Sequence, residues 1–422
     1  LIFSEYNKNK LNSNIMKKIL ITLLIILVAV LLCAIFFIWK NLRGAAPAIL
    51  SPEINIADSI PLSEEIQNNE LRNLPPEENK TDMPLQLPPG FRISIFAKNL
   101  SGARVMAKDT LGNMWVSRPS ANVITFLEIK DGLVVGQNNT LVGLNGPHGL
   151  AFDPDQPLLL YIAEKDKITK VPLYSEGGYQ KIADLPSGGG HSTRTLLFGP
   201  DKRLYVSSGS SCNVCVEKDP RRAAVYSLNR DGSDFREFAS GLRNSVFMAL
   251  HPETQEIWAT EMGRDLLGDN LPPDEINILQ DGKNYGWPYC FGKKIHDDNF
   301  DPDGDRAQFC KASEASQIDI PAHSAPLGLA FLKNSRWPAE YKNNLLVAYH
   351  GSWNRSVPTG YKIVRHKFNR EGRYLGVEDF ITGWLQGGNV LGRPVDILED
   401  EDGKIYISDD KAGMIYLVEH IK

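Results

Sequence analysis

From Phe91 to the end of the chain, short apolar runs are separated by polar turns rich in Asp, Pro and Gly, and helical periodicity is scarce. One unit recurs: an apolar strand, a polar turn, then a second strand with a large side chain near its centre. It is found at residues 104–117, 147–163, 193–208, 245–260, 326–349 and 394–408. If Trp115, Tyr161, Tyr205, Trp258, Leu346 and Tyr406 are equivalent, the steps between them are 46, 44, 53, 88 and 60 residues. The first two match the roughly 40–50 residues of a four-stranded propeller blade. The longer steps require insertions, the largest between Asp265 and Ala325. A lone sheet of this kind cannot bury both faces, whereas six stacked around an axis can. The pattern therefore predicts an all-β, six-bladed β-propeller over 89–422, closed by pairing Phe91–Phe96 with the last blade near Met414–Val418. A β-sandwich would not repeat the same unit six times.

A different pattern precedes it. Ile19–Trp39 is a 21-residue run without charge, preceded by Lys17 and Lys18. At about 1.5 Å per residue it is long enough for a hydrocarbon core of about 30 Å. It exceeds the apolar core of a cleaved signal peptide and lacks a small-residue cleavage site. Residues 16–43 are thus expected to be an uncleaved signal anchor and single-pass transmembrane helix, with the propeller in the periplasm or another extracytoplasmic space. Lys40 and Arg43 on the far side blur the charge rule for orientation. Met16 is a candidate initiator, which makes 1–15 either upstream read-through or a short cytoplasmic tail. Residues 44–88 carry Pro, Asn, Glu and Gln without periodicity and are expected to be a flexible, disordered linker.

The net charge of −5 gives no basic face for nucleic acid. Export favours disulfides, and proximity pairs Cys212 with Cys215 and Cys290 with Cys310. Other connectivities remain open, as does a redox or half-zinc reading of Cys212–Cys215. Asp301-Pro302-Asp303-Gly304-Asp305 resembles a calcium loop in composition but lacks the closing Glu, so it reads as a turn.

In a propeller, the loops leading into the inner strands converge on one mouth of the channel. This chain sets Arg104, His148, His191 with Arg194, Arg243 with Asn244, and Arg393 there. Such a basic mouth suits an anionic ligand, and forked guanidinium donors suit a planar polycarboxylate.

Three ordered stretches carry a resemblance: Gly190-His191-Ser192-Thr193-Arg194 with Phe198-Gly199-Pro200-Asp201; Gly241-Leu242-Arg243-Asn244 with Ala249-Leu250-His251-Pro252; and Asp274-Glu275-Ile276-Asn277 with Gly282-Lys283-Asn284-Tyr285-Gly286-Trp287-Pro288. Together they resemble the soluble quinoprotein glucose/sorbosone dehydrogenase family over roughly 85–420. Ser211–Cys215 and His350–Arg355 are similar to its sorbosone-dehydrogenase-like branch. The resemblance implies bound pyrroloquinoline quinone (PQQ) and Ca2+, and oxidation of an aldose, a sorbosone-like aldehyde or a related alcohol. It implies His191 as general base and Arg243 with Asn244 at the quinone oxygens. It further implies Arg393 at the cofactor's carboxylates, with Arg355 and Arg104 as supporting charges. Trp353 is a candidate to stack on sugar or quinone, while Tyr285 and Trp287 read as blade core. Calcium would take the backbone carbonyls of Gly263 and Arg264, although Arg264 stands where the family has Pro. These residues hold no recognisable haem domain, so electrons are expected to pass to a separate acceptor, a membrane quinone or a cytochrome. The competing readings are a calcium-dependent lactonase-like propeller and a non-catalytic envelope binding propeller. A lactonase would need a carboxylate and Asn cage where Arg and His stand here. A binding module would have no need to gather His191, Arg243, Asn244 and Arg393.

Overall fold

The computed structural model describes residues 20–36, 71–75, 78–175, 177–334 and 336–421. Six antiparallel sheets stand around an axis. Their innermost strands are Met106–Lys108, Gly149–Phe152, Leu196–Phe198, Ser245–Leu250, Pro326–Phe331 and Pro394–Glu399, and each touches the next in a closed ring. The ring closes by the expected pairing: Phe91–Ala97 lies antiparallel to Met414–His420, with Phe91 opposite His420 and Ile95 opposite Tyr416. The all-β, six-bladed propeller is therefore observed.

The recurring unit has a local cause. In blades 1, 2, 3 and 6, the Asp at the inner hairpin turn (Asp109, Asp153, Asp201, Asp400) accepts backbone N–H groups of its own turn. Its carboxylate also accepts a bond from the aromatic of the second strand: Trp115 Nε1–H at 3.0 Å, Tyr161 at 3.4 Å, Tyr205 at 2.9 Å and Tyr406 at 3.2 Å. In blade 4 the His251 ring nitrogen takes the turn amides instead. One short polar side chain thus closes the turn and seats the large residue that fills the gap between blades. Second strands such as Leu204–Ser208 and Leu345–Tyr349 are buried throughout, whereas outer strands such as Leu133–Val142 are mostly exposed. The 265–325 insertion holds the third strand of blade 4 (Asp274–Leu279), a small hairpin, the helix Ala307–Ala312 and the fourth strand Ile318–Ile320. Both expected disulfides are present, Cys212–Cys215 and Cys290–Cys310, which excludes thiolate zinc binding at the former.

The linker expectation is corrected at its C-terminal end. Arg72–Asn73 pairs with Gln86–Leu87, and Asn79–Lys80 runs parallel to Ile93–Ser94. Leu85 and Leu87 are fully buried among Phe380, Trp384 and Tyr416. These two leucines supply apolar area that the edge of blades 5 and 6 would otherwise leave open, so the packed body begins by Glu78 rather than at 89. Residues 1–19 and 37–70, with the read-through or tail segment and most of the linker, lie outside the described residues. Residues 20–36 form a helix exposed along its length. Among the described residues no helix is long and apolar enough to cross a membrane.

Leu87→Ala is expected to lower the free energy of unfolding by about 2–5 kcal/mol, read by urea denaturation. A cost below about 0.5 kcal/mol would mean that this segment is not part of the core.

Candidate active site at the channel mouth

In each blade the loop entering the inner strand and the loop leaving the second strand lie at the same end, because those strands are antiparallel neighbours. Blades 3 to 6 combine these loops around a cavity of about 330 Å3. Of the sequence-predicted residues, His191, Arg243, Asn244, Gly263, Trp353 and Arg393 line it.

His191 is the most informative. Its Nδ1 lies 3.2 Å from the Ser210 carbonyl oxygen and 2.8 Å from Ser210 Oγ. A carbonyl only accepts, and the Ser210 hydroxyl already donates to the Cys212 carbonyl at 2.7 Å. Nδ1 therefore carries the proton, and Nε2, with no hydrogen-bond partner among the described residues, keeps its lone pair. Burial, then the Arg243 charge, with Arg222 and Arg194 adding to it, pushes the imidazole down to about 4. It is neutral at pH 7. Gly209 lets this ring approach Asn244, since a Cβ there would meet His191 Cβ at 2.6 Å and Asn244 Oδ1 at 2.7 Å.

Arg243 is 4% exposed, and all five of its N–H groups have acceptors. Nε donates to the Asn213 carbonyl at 2.8 Å. Nη1 donates to the carbonyls of Met262 at 3.2 Å and Gly263 at 2.8 Å. Nη2 reaches Asn213 Oδ1 at 2.9 Å and Asp265 at 3.2 Å. Asn244 is fixed by its own amide, which donates to buried Glu261 at 2.8 Å. Asp274 couples blades 4 and 5, accepting the amides of Gly263 and Ala325, each at 2.8 Å; burial raises its carboxyl to about 7.

On the opposite wall Arg393 donates to the carbonyls of His350 and Gly351 and lies over the Tyr361 ring. Its Nη1 has no acceptor among the described residues. Gly351 is required there: its φ is +105°, and a Cβ would meet the Tyr361 ring at 2.5 Å. His350 donates Nε2–H to Asp410 at 3.0 Å, and burial holds its pKa at about 4 against the pull of that carboxylate. Burial alone would raise Asp410, but the His350 bond and the Arg104 and Arg393 charges hold it at about 2.

Arg104, Arg355 and Arg264 do not reach the cavity. Arg104 pairs with Asp410 at 2.9 Å, behind His350. Arg355 is tied to the Ala322 carbonyl and Asn270. Arg264 pairs with Asp297 at 3.1 Å and lines a neighbouring cleft. His148 and Arg194 are buried and bonded into the channel wall. Tyr285 is core, as expected. The Asp301 loop is a turn: Asp301 accepts the Arg306 amide and binds His296. Sequence alone does not mark Ser210, Asn213, His323 or Asp410 as site residues. Asn213 lies within the Ser211–Cys215 stretch, but no spacing marks His323, which reaches the cavity through a left-handed turn (φ +66°).

A family model described as TrAA12-like matches residues 85–421. The chain belongs to this family. An uncharacterized protein of Borreliella burgdorferi is 33% identical over 80% of this chain and 91% of its own length. Quinoprotein glucose dehydrogenase B of Acinetobacter calcoaceticus is 27% identical over 47% of this chain and 51% of its own length. Among solved structures, the holo form of the pyranose dehydrogenase PQQ domain from Coprinopsis cinerea superposes with a TM-score of 0.69 at 21% identity, covering 81% of this chain and 98% of that one. The calcium structure of the Trichoderma reesei family AA12 enzyme gives 0.68 at 20% identity, over 83% and 99%.

The cavity of this TrAA12-like chain suits both a planar polyanion and a hard cation. Arg393 presents unmatched N–H groups beside the exposed Trp353 ring. The Gly263 carbonyl and the carboxylates of Asp265 and Asp274 line the same space as oxygen donors. The Gly263 carbonyl already accepts from Arg243, so a cation there would share that oxygen with the guanidinium.

Because His191 is neutral in the fold to about pH 4 but protonates near 6.5 when unfolded, its contribution to stability is present above 6.5 and lost as pH falls toward 4. His191→Asn should flatten the unfolding free energy between those values, measured by urea titration at each pH. An unchanged slope would mean that His191 is not held neutral.

Proposed function

We propose that this TrAA12-like protein is a PQQ- and calcium-dependent dehydrogenase that oxidises a sugar or sugar-derived alcohol or aldehyde, of the aldose, pyranose or sorbosone type. The observation that carries this reading is the His191 imidazole, neutral and with its Nε2 lone pair at a cavity shared with Arg393. The names of its relatives support the same chemistry: quinoprotein glucose dehydrogenase, PQQ-dependent pyranose dehydrogenase and aldose sugar dehydrogenase.

When bound, PQQ supplies a two-electron acceptor for hydride. The chain supplies the remaining functions. His191 Nε2 takes the proton of the substrate hydroxyl, because hydride leaves far more readily from a carbon bearing a developing alkoxide. Ser210 holds the opposite nitrogen, so the ring can neither turn nor change tautomer. Arg393 would bind a cofactor carboxylate through its unmatched N–H groups. Arg243 and Asn244 contribute a fixed positive charge and an amide to the cavity wall. Gly263, Asp265 and Asp274 would hold calcium. Trp353 would offer a flat apolar face to a pyranose ring.

Electrons leave to a separate carrier, a membrane quinone or cytochrome. The uncharged run Ile19–Trp39, of which the structure describes residues 20–36, would tether the propeller to the membrane on its extracytoplasmic side.

The test is to load the protein with PQQ and calcium and to follow dye reduction with a panel of aldoses. His191→Ala should lower kcat by about 10²–10⁴-fold while retaining the bound-quinone absorbance, and Arg393→Ala should weaken PQQ binding. A loaded wild-type protein that reduces no dye with any sugar would overturn the reading.

A further inference from the structure

The second and third strands of blade 3, Leu204–Ser208 and Ala224–Leu228, are joined by a long stretch without regular structure. Irregular chain of this length ordinarily has many conformations, yet the most demanding bonds of the site end on it. The Cys212 carbonyl accepts the Ser210 hydroxyl that sets the His191 tautomer. Asn213, inside the ring closed by Cys212 and Cys215, makes four bonds to Arg243 and Asp265. Its carbonyl and Oδ1 accept from Arg243 at 2.8 and 2.9 Å. Oδ1 also accepts the Asp265 amide at 2.8 Å, and Nδ2 donates to the Asp265 carbonyl at 3.1 Å. Below the ring, Glu217 accepts both the amide and hydroxyl of Ser211.

We propose that the four-residue ring closed by the Cys212–Cys215 disulfide is the positioning element of the cofactor cavity, with Asn213 as its positioning residue. A disulfide between residues so close in sequence removes little entropy from the unfolded chain, so its contribution to global stability is small. Its effect is local: it holds the Cys212 and Asn213 carbonyls in fixed relation, one serving His191 through Ser210 and the other serving Arg243. Nothing comparable follows from Cys290–Cys310 in the blade 4 insertion: among the described residues neither cysteine is hydrogen-bonded to His191, Ser210 or Arg243. The inference rests on the dehydrogenase reading for its consequence in catalysis, but its geometry stands without it.

The experiment uses the full chain labelled with 15N at His and Arg. In the cofactor-free protein, the 15N shifts of His191 report which ring nitrogen carries the proton, and a slowly exchanging Arg243 Nε–H reports its bond to Asn213. Cys212→Ser/Cys215→Ser is expected to mix the His191 tautomers and lose the Arg243 signal, while Cys290→Ser/Cys310→Ser leaves both unchanged. Asn213→Ala, which keeps the disulfide, should weaken PQQ binding about tenfold or more by calorimetric titration. Asn213→Asp, which keeps an oxygen acceptor for Arg243 and the Asp265 amide, should recover most of it. Wild-type spectra in a folded Cys212→Ser/Cys215→Ser protein, or PQQ affinity within about twofold of wild type in Asn213→Ala, would overturn the proposal. A wild-type protein that binds no PQQ would overturn the dehydrogenase reading instead, and the His191 and Arg243 signals alone would then decide the role of the ring.

Discussion

A guanidinium buried at the mouth of a β-propeller must have every N–H met, and meeting them at Arg243 organises the rest of the site. Its acceptors come from two separate stretches: the Asn213 carbonyl and side chain, and the segment 262–265, which gives the carbonyls of Met262 and Gly263 and the Asp265 carboxylate. None of these belongs to a regular strand. Each is held in turn by a further bond, Asp265 by Asn354 and the Gly263 amide by Asp274. Loops from three blades are thereby fixed relative to one another without a ladder hydrogen bond between them. A buried, unpaired guanidinium would be far costlier than the ordering of these loops, which is why they stay ordered.

The same economy governs the histidines. His191 and His350 each give one ring nitrogen to a fixed oxygen, Ser210 and Asp410 respectively. Carbonyls and carboxylates can only accept, so in both rings that nitrogen carries a proton. For His191 and His350, burial and nearby arginines disfavour protonation, and the cavity presents neutral imidazoles beside charged guanidiniums. Under the proposed chemistry, positive charge on His191 would leave no base to take a hydroxyl proton, and loss of Arg393 would deprive an anionic cofactor of a partner. In that reading the arginines serve two ends, offering charge to the ligand and keeping His191 unprotonated.

What could be read from the chain follows the range of the interactions. The blades were legible because five of the six repeats are closed by a local device, an Asp or His at the turn and an aromatic a few residues on, and local devices leave a period. His191, Arg243, Asn244 and Arg393 were legible because they precede inner strands, a position the repeat itself marks. Arg104 and Arg355 have the right residue type, yet each is drawn off by a carboxylate or carbonyl from a distant loop. No sequence spacing encodes that competition. Leu85 and Leu87 misled for a related reason. Two leucines among prolines and polar residues look like a linker until the edge they cover, with Trp384 and Phe380, has been built by chain nearly three hundred residues away.

The contrast between Arg243 and Arg393 separates two jobs that residue type alone would merge. Arg243 has spent all its donors on the protein and so acts on a ligand through its field, from a position that the ligand cannot alter. Arg393 keeps donors on Nη1 for a ligand while its other bonds go to the backbone carbonyls of His350 and Gly351. The mouth thus has one side whose guanidinium is fully bonded to protein, near His191, and one side whose guanidinium retains donors for what the cavity holds. In the proposed reaction the base must meet a substrate proton at a set distance, and His191 stands on the fully bonded side.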